Sequence, residues 1–320
     1  GGDNDLGTVF SYSIDDNTFV KHYDQPVESD YEERLRGTLV PGPNGMFYGH
    51  RQGTYASQMF EMDSQGNVEW WNGSAYFNES QLFLASNADI YATTTDNWEP
   101  GIVDRYDVEN GTLLLDWRKN FFTQFSDPNT LLIEPGDGYL YGAAGEGGVN
   151  DGGFLYKFRP DGSGFKIIYY FYDATTGMKP YAGLVEHGGF LYGTASQAGQ
   201  FGHGTIFKIG LDGTSFAKLH DFNGANGSNP RGELIVAENI LFGTTDGGGT
   251  SGHGTIFRID PDGNNFGVLH NFEGEDGSDP SRGVVHDSNG NLYGMTSYGG
   301  DHDMGVIYKV GMDGTGFAKL

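Results

Sequence analysis

Apolar and polar residues alternate along this chain in short runs, and Gly, Asn, Asp or Pro closes each run. Alternation with a period of two is the pattern of a half-buried strand. Around residue 200 it gives four strands: Gly183–Glu186, Phe190–Thr194, Thr205–Ile209 and Phe216–Asp221. The third and fourth are joined through Asp212-Gly213. The same dipeptide recurs as Asp161-Gly162, Asp262-Gly263 and Asp313-Gly314, a tight-hairpin signal. The first and second are joined as briefly, through His187-Gly188-Gly189 here and through Pro43-Asn44-Gly45 and Ser288-Asn289-Gly290 elsewhere. No segment sustains a 3.6-residue period, so the pattern predicts almost no helix.

The four-strand unit repeats. LYGTASQAGQFGHGTIFKIGLDGTSFAKLH at 191–220 returns as LFGTTDGGGTSGHGTIFRIDPDGNNFGVLH at 241–270 and as LYGMTSYGGDHDMGVIYKVGMDGTGFAKL at 292–320. Looser copies stand at 140–168, 90–117 and 46–71, and a half-copy, GTVFSYSIDDNTFVKHYD, at 7–24. A period of about 50 residues with four antiparallel strands is that of a β-propeller blade. The shorter coils of a β-helix lack two hairpin turns per unit.

The motif LYGTT…GG…G-x-GT-F-K-I…DG resembles the GloVer-type tandem repeats of extracellular bacterial proteins. The resemblance spans nearly the whole chain and is most specific from about residue 139 onward. It implies a secreted propeller and fixes no activity.

The expected fold is therefore an all-β propeller of four-stranded blades in one domain over 1–320. Six full sets of strands follow a half set, which predicts seven blades, with six blades and a terminal hairpin as the alternative. A seventh blade needs two more strands. On that reading the chain continues beyond Leu320 or a neighbouring subunit completes the ring.

Composition narrows the function classes. The 54 glycines follow no G-X-Y period, which excludes collagen, and 14% aromatic residues exclude a disordered chain. Absence of Cys removes disulfides, thiol nucleophiles and Cys-bound metals. A net charge of −25 argues against nucleic acid as a partner. No apolar run is long enough to span a membrane. The acidic, Cys-free, Gly-rich chain suits a secreted or cell-surface protein. P-loop, zinc-protease and nucleophile-elbow motifs are missing, so no cofactor is implied.

Topology sorts the candidate chemistry. Loops between second and third strands, and between blades, share one face, and those are the long ones that carry function on rigid scaffolds. His203, His253, His220 and His270 recur at fixed repeat positions and read as structural. Asp246, Asp276 and Asp279, in acidic Gly-rich loops, supply oxygen ligands suited to a structural Ca²⁺. The first blades depart from the repeat, with Tyr48, His50 and Arg51 in place of L-Y-G-T-T, preceded by Tyr31, Arg34 and Arg36. Trp98, Arg105, Trp117 and Arg118 extend this group in the second blade and the loop after it.

Those residues suit an acidic polysaccharide, with aromatic faces for sugar rings and Arg for carboxylates or sulfates. By fold analogy with ulvan-lyase-like propellers, cleavage would be β-elimination. His50 would be the base, Tyr48 the acid, and Arg36 or Arg51 the neutralising cation, with Tyr31, Arg34, Trp98, Arg105, Trp117 and Arg118 binding substrate. Glycoside hydrolysis by a carboxylate pair is a further possibility, with no pair identifiable from sequence. The alternative is a non-catalytic surface or assembly protein that self-associates through its half blade.

Overall fold

The computed structural model describes residues 8–13, 18–24, 34–42, 45–52, 57–71, 78–95, 102–109, 112–113, 130–280 and 282–320. The chain is an all-β propeller of six blades, each a meander of antiparallel strands. The first is β3 (Arg34–Pro41), β4 (Phe47–Gln52), β5 (Ser57–Met62) and β6 (Val68–Trp70). The second is β7 (Asn78–Leu84), β8 (Ile90–Thr95), β9 (Ile102–Asp107) and β10 (Thr112–Leu113). In the third, a lone bridge residue, Ile133, stands where the first strand belongs, before β11 (Leu140–Ala144), β12 (Phe154–Phe158) and β13 (Lys166–Tyr170).

The last three blades are regular. They comprise β14 (Val185–His187), β15 (Phe190–Ala195), β16 (Thr205–Gly210) and β17 (Ala217–Asp221), then β18 (Ile235–Ala237), β19 (Ile240–Thr245), β20 (Thr255–Ile259) and β21 (Gly267–Asn271). The sixth has β22 (Val285–His286), β23 (Asn291–Met295), β24 (Ile307–Gly311) and β25 (Ala318–Lys319). Among the described residues helical structure is limited to a short 3₁₀ turn at Val149–Asp151 and to Gly45.

The expected seventh blade is not formed. The N-terminal half-copy makes a separate two-stranded sheet, β1 (Thr8–Ser13) with β2 (Thr18–Asp24), and β25 completes the sixth blade against β24. A blade needs four paired strands, and the described residues supply this hairpin with two. It nevertheless has the geometry of third and fourth strands. Its register slips between Val9 and Phe10, as it does between Leu155 and Tyr156, Ile206 and Phe207, and Ile256 and Phe257. Six blades and a hairpin, the alternative reading, is the architecture.

The described fold groups into two compact units, Gly1–Leu140 with Phe158–Phe165, and Tyr141–Lys157 with Lys166–Leu320. In the first, Tyr48, Met59, Trp71, Leu82, Ile90, Ala92 and Tyr106 form one buried cluster, while Val9 of the hairpin packs with Phe60 and Met62. In the second, the third strands place Tyr156, Phe207, Phe257 and Tyr308 in the interior, all with no exposed surface. The alternating bases lean along that surface: Lys208 Nζ lies 5.3 Å from the Phe190 ring centre and donates to Pro261 O at 3.2 Å.

Glycine closes the blade corners for a steric reason. At Gly213, φ is +86° and an added Cβ would lie 2.5 Å from Ile168 O of the preceding blade. Only glycine meets both conditions at that Asp-Gly turn.

Candidate functional site

In each antiparallel blade the loops from second to third strand and from fourth strand to the next blade leave from the same end. In the second unit these loops clasp one another in a fixed way. His203 Nδ1 meets Ser228 Oγ and His253 Nδ1 meets Ser278 Oγ, both at 3.0 Å. The backbone N–H groups of Asn229 and Asp279 donate to the carbonyls of His203 and His253, at 2.9 and 3.1 Å. These histidines fasten loops, as their fixed repeat position implies.

Within that frame the residue just before each recurring Pro (Pro180, Pro230, Pro280) varies. Lys179, Asn229 and Asp279 hold φ values of +63°, +59° and +58°, the left-handed region that non-glycine residues adopt at a cost. Lys179 Nζ contacts Asp151 Oδ2 at 2.7 Å and Glu146 Oε1 at 3.4 Å, and the Tyr181 hydroxyl donates to Glu146 Oε1 at 3.0 Å. One repeat later, Asn229 Nδ2 donates to Asp246 Oδ2 at 3.2 Å, and Arg231 Nε lies 3.7 Å from the same oxygen. The Arg231 guanidinium in turn covers the Tyr181 ring at 5.2 Å.

Asp246, on the loop from β19 to β20, meets Asn229 of the loop between the fourth and fifth blades, and at that junction it feels the charge of Asp279, on the loop to the sixth blade. The Oδ1 atoms of Asp246 and Asp279 are buried and accept no hydrogen bond. Burial, followed by the negative charge of Asp279, pushes the Asp246 carboxyl up to about 7, against a smaller pull from Arg231. Burial also raises Asp279, again opposed by Arg231. Two carboxyls brought together in a dry site retain a proton that isolated ones lose. Chemically, Asp246 can hold and deliver a proton at neutral pH.

The same loop face exposes large apolar side chains. Tyr172, between β13 and the fourth blade, is 42% exposed, Phe201, between β15 and β16, 52%, and Tyr298, between β23 and β24, 56%. Tyr298 pairs through its backbone with Ser278, the residue before Asp279. Its ring therefore stands on the loop next to the acidic pair.

The residues singled out in the first blades are placed differently. His50 and Tyr48, on β4, are 1% and 2% exposed. Tyr48 meets Trp71 edge-on at 5.5 Å, and burial, then the charge of Glu61, raises its phenol. Arg36 pairs in register with His50 across β3 and β4, and Arg51 follows on β4. The side chains of Arg34, Arg36 and Arg51 lie outside the described residues, as do Tyr31, Trp98, Trp117 and Arg118. Arg105 grips Asp89 with Nε at 2.8 Å and with Nη2. Of the three candidate cation ligands, the junction unites Asp246 and Asp279. Asp276 accepts instead from Glu273 N–H at 2.7 Å and meets His270 Nε2 at 2.9 Å.

Sequence reasoning passed over Asn229, Arg231, Phe201 and Tyr298. The available signal was their variability at positions flanked by recurring repeat residues, such as Pro230 and Gly204.

The model of the Gloeobacter/Verrucomicrobia repeat matches residues 78–308, well over half of the chain. The chain belongs to that family. Its match begins in the second blade and ends on β24, so these repeats include both the clasped loops and the acidic junction. None of the curated proteins matches this member. Among solved structures, a candidate 6-phosphogluconolactonase from Bacteroides uniformis is 13% identical, with a TM-score of 0.65 and coverage of 98% of this chain and 90% of that one. The propeller domain of the Trilobed protease from Pyrococcus furiosus is 10% identical, with a TM-score of 0.57 over 100% and 91%. At such identities the likeness to these structures establishes the fold alone.

Proposed function

We propose that this Gloeobacter/Verrucomicrobia repeat protein is a secreted propeller that binds a polysaccharide on the long-loop face of its later blades. The observation that carries this reading is the exposure of the Tyr172, Phe201 and Tyr298 rings on loops of that face, with Tyr298 paired to Ser278 next to Asp279. Exposed aromatic side chains on a loop face mark a candidate binding surface. Flat aromatic faces stack on sugar rings, while Arg231, whose side chain is 46% exposed, offers donors to hydroxyls.

Two further observations favour binding over β-elimination, and a neutral polymer over an acidic one. His50 and Tyr48 are enclosed, so a polymer does not reach them as base and acid. Arg105 is committed to Asp89, and the chain carries a charge of −25, which repels a polyanion.

Affinity electrophoresis against xylan, mannan, β-glucan, pectin, alginate and ulvan tests this. Retardation by a neutral polymer is expected, weakened about tenfold or more in the Phe201→Ala/Tyr298→Ala double variant. Retention by none of the polymers, or an unchanged double variant, overturns the proposal. Release of unsaturated uronates from an acidic polymer would restore the lyase reading.

A further inference from the structure

Three equivalent junctions in the second unit each carry a face-to-face ring pair. Tyr169 lies on Phe216 at 4.2 Å, His220 on Phe266 at 3.7 Å, and His270 on Phe317 at 3.7 Å, all within 9° of parallel. The stacks are alike, but the groups at the edges of the two imidazoles differ.

At His220 the neighbour is an amide. The backbone N–H of Asn223 donates to Asn226 Oδ1 at 2.9 Å, which turns the Asn226 NH₂ toward His220 Nε2 at 3.0 Å. An amide NH₂ only donates, so Nε2 must accept and the ring must be the neutral Nδ1–H tautomer. At His270 the loop is the same and the side chain is a carboxylate. Glu273 N–H donates to Asp276 Oδ1, and Oδ2 receives His270 Nε2 at 2.9 Å. That ring donates, and a doubly protonated imidazole fits it equally well.

We infer that His220 is an acid-sensitive latch between the fourth and fifth blades, closed by the neutral ring and opened when protonation sets donor against donor at Asn226. This inference is independent of the polysaccharide reading. Burial supports it by pushing the His220 imidazole down to about 4, with Asp221 pulling the other way. The charged groups on its own strand are Asp221 and Lys218, already paired at 2.8 Å. The loop after β17 faces it with the amides of Asn223 and Asn226, and the fifth blade with the ring of Phe266.

The sign follows from linkage. A histidine whose folded pKa lies below its ordinary 6.5 binds fewer protons folded than unfolded. Stability contributed by the neutral ring is complete above that value and is lost as pH falls toward about 4. The loop released is the one that leads to Asn229 and Arg231.

The test is a proton NMR titration of the imidazole Cε1–H signals in the full chain, paired with thermal melts from pH 4 to 7.5. In the wild type the His220 signal should titrate near pH 4, well below an ordinary histidine. In Asn226→Asp, which copies the His270 environment, it should move up by more than one pH unit. The melting temperature of Asn226→Asp should gain on the wild type by several degrees as pH falls below 6. His220→Tyr, which copies the Tyr169 junction, should show the same gain. A His220 signal titrating near 6.5, or melting curves that stay parallel across the pH range, overturns the latch. Asn226→Asp alters a loop side chain, so the test survives if His220→Tyr does not fold.

Discussion

The first two blades and the last three use the same strand pattern for opposite purposes. In the early blades a side chain that breaks the repeat turns inward: His50 is buried, on the strand where Tyr48 keeps the repeat aromatic and packs with Trp71 and Tyr106. In the late blades the core is filled by repeat aromatics, Phe207, Phe257 and Tyr308, while Phe201 and Tyr298 stand exposed on loops. Departure from a repeat is thus not itself a sign of function. Where the frame is irregular, odd residues are recruited to fill it. Where the frame is strict, single variable positions stand at the surface and are free to carry chemistry.

The largest effect should come from the two cores. Phe257 packs against Phe222 at 5.2 Å and Phe266 at 5.8 Å, and Trp71 against Tyr48 and Tyr106. Phe257→Ala and Trp71→Ala should each cost about 3–5 kcal/mol, measured by denaturant unfolding. If Trp71→Ala costs well under half as much as Phe257→Ala, the early-blade aromatics are not a core, and the contrast between the two regions fails.

That contrast also marks what could be read from sequence. Strand order, hairpin turns and the buried third-strand aromatics were legible because each recurs, and recurrence averages out local noise. The structural role of His203 and His253 was legible for the same reason, though not which side chains they bond. Blade number was misjudged because the segment at 7–24 reads as a half-copy of the repeat, and a strand count cannot show which strands pair. The acidic junction was half legible. Asp246 and Asp279 were identifiable as clustered oxygen ligands, but they lie 33 positions apart and meet only because Asp279 sits in the loop reaching the next blade. Asn229 and Arg231 gave no chemical signature of their own, because their role depends on which loop each one clasps.

A smaller effect sharpens the late-blade side of the comparison. Asp246 has a folded-state pKa of about 7, well above the usual carboxylate range near 4, so the folded protein binds the extra proton between those values. Its contribution is favourable at low pH and declines as pH rises from about 4 through about 7. Asp246→Asn removes the ionisation while keeping the shape. The variant should match the wild type at pH 4 and exceed it by roughly 1–3 kcal/mol at pH 8, read from paired denaturant melts. A difference independent of pH would mean that Asp246 ionises normally and that the junction is solvated.

The smallest effect concerns the frame itself. In the fifth blade the turn from β18 to β19 is Glu238-Asn239, with φ of +51° and +61°. The fourth blade makes the equivalent turn with Gly188-Gly189, both at positive φ and with open space where a Cβ would stand. Asn tolerates the left-handed region, whereas Glu gains nothing there, because its side chain is too long to bond its own backbone as Asn does. Glu238→Gly relieves that strain, and the greater freedom of glycine in the unfolded chain offsets part of the gain. The net result should be a stabilisation of up to about 1 kcal/mol, seen as a higher denaturation midpoint with unchanged slope. The reverse change, Gly188→Glu, should destabilise the fourth blade by a similar amount. If the two substitutions do not have opposite signs, the corners of these blades are set by something other than backbone sterics, and the strictness of the late frame needs another cause.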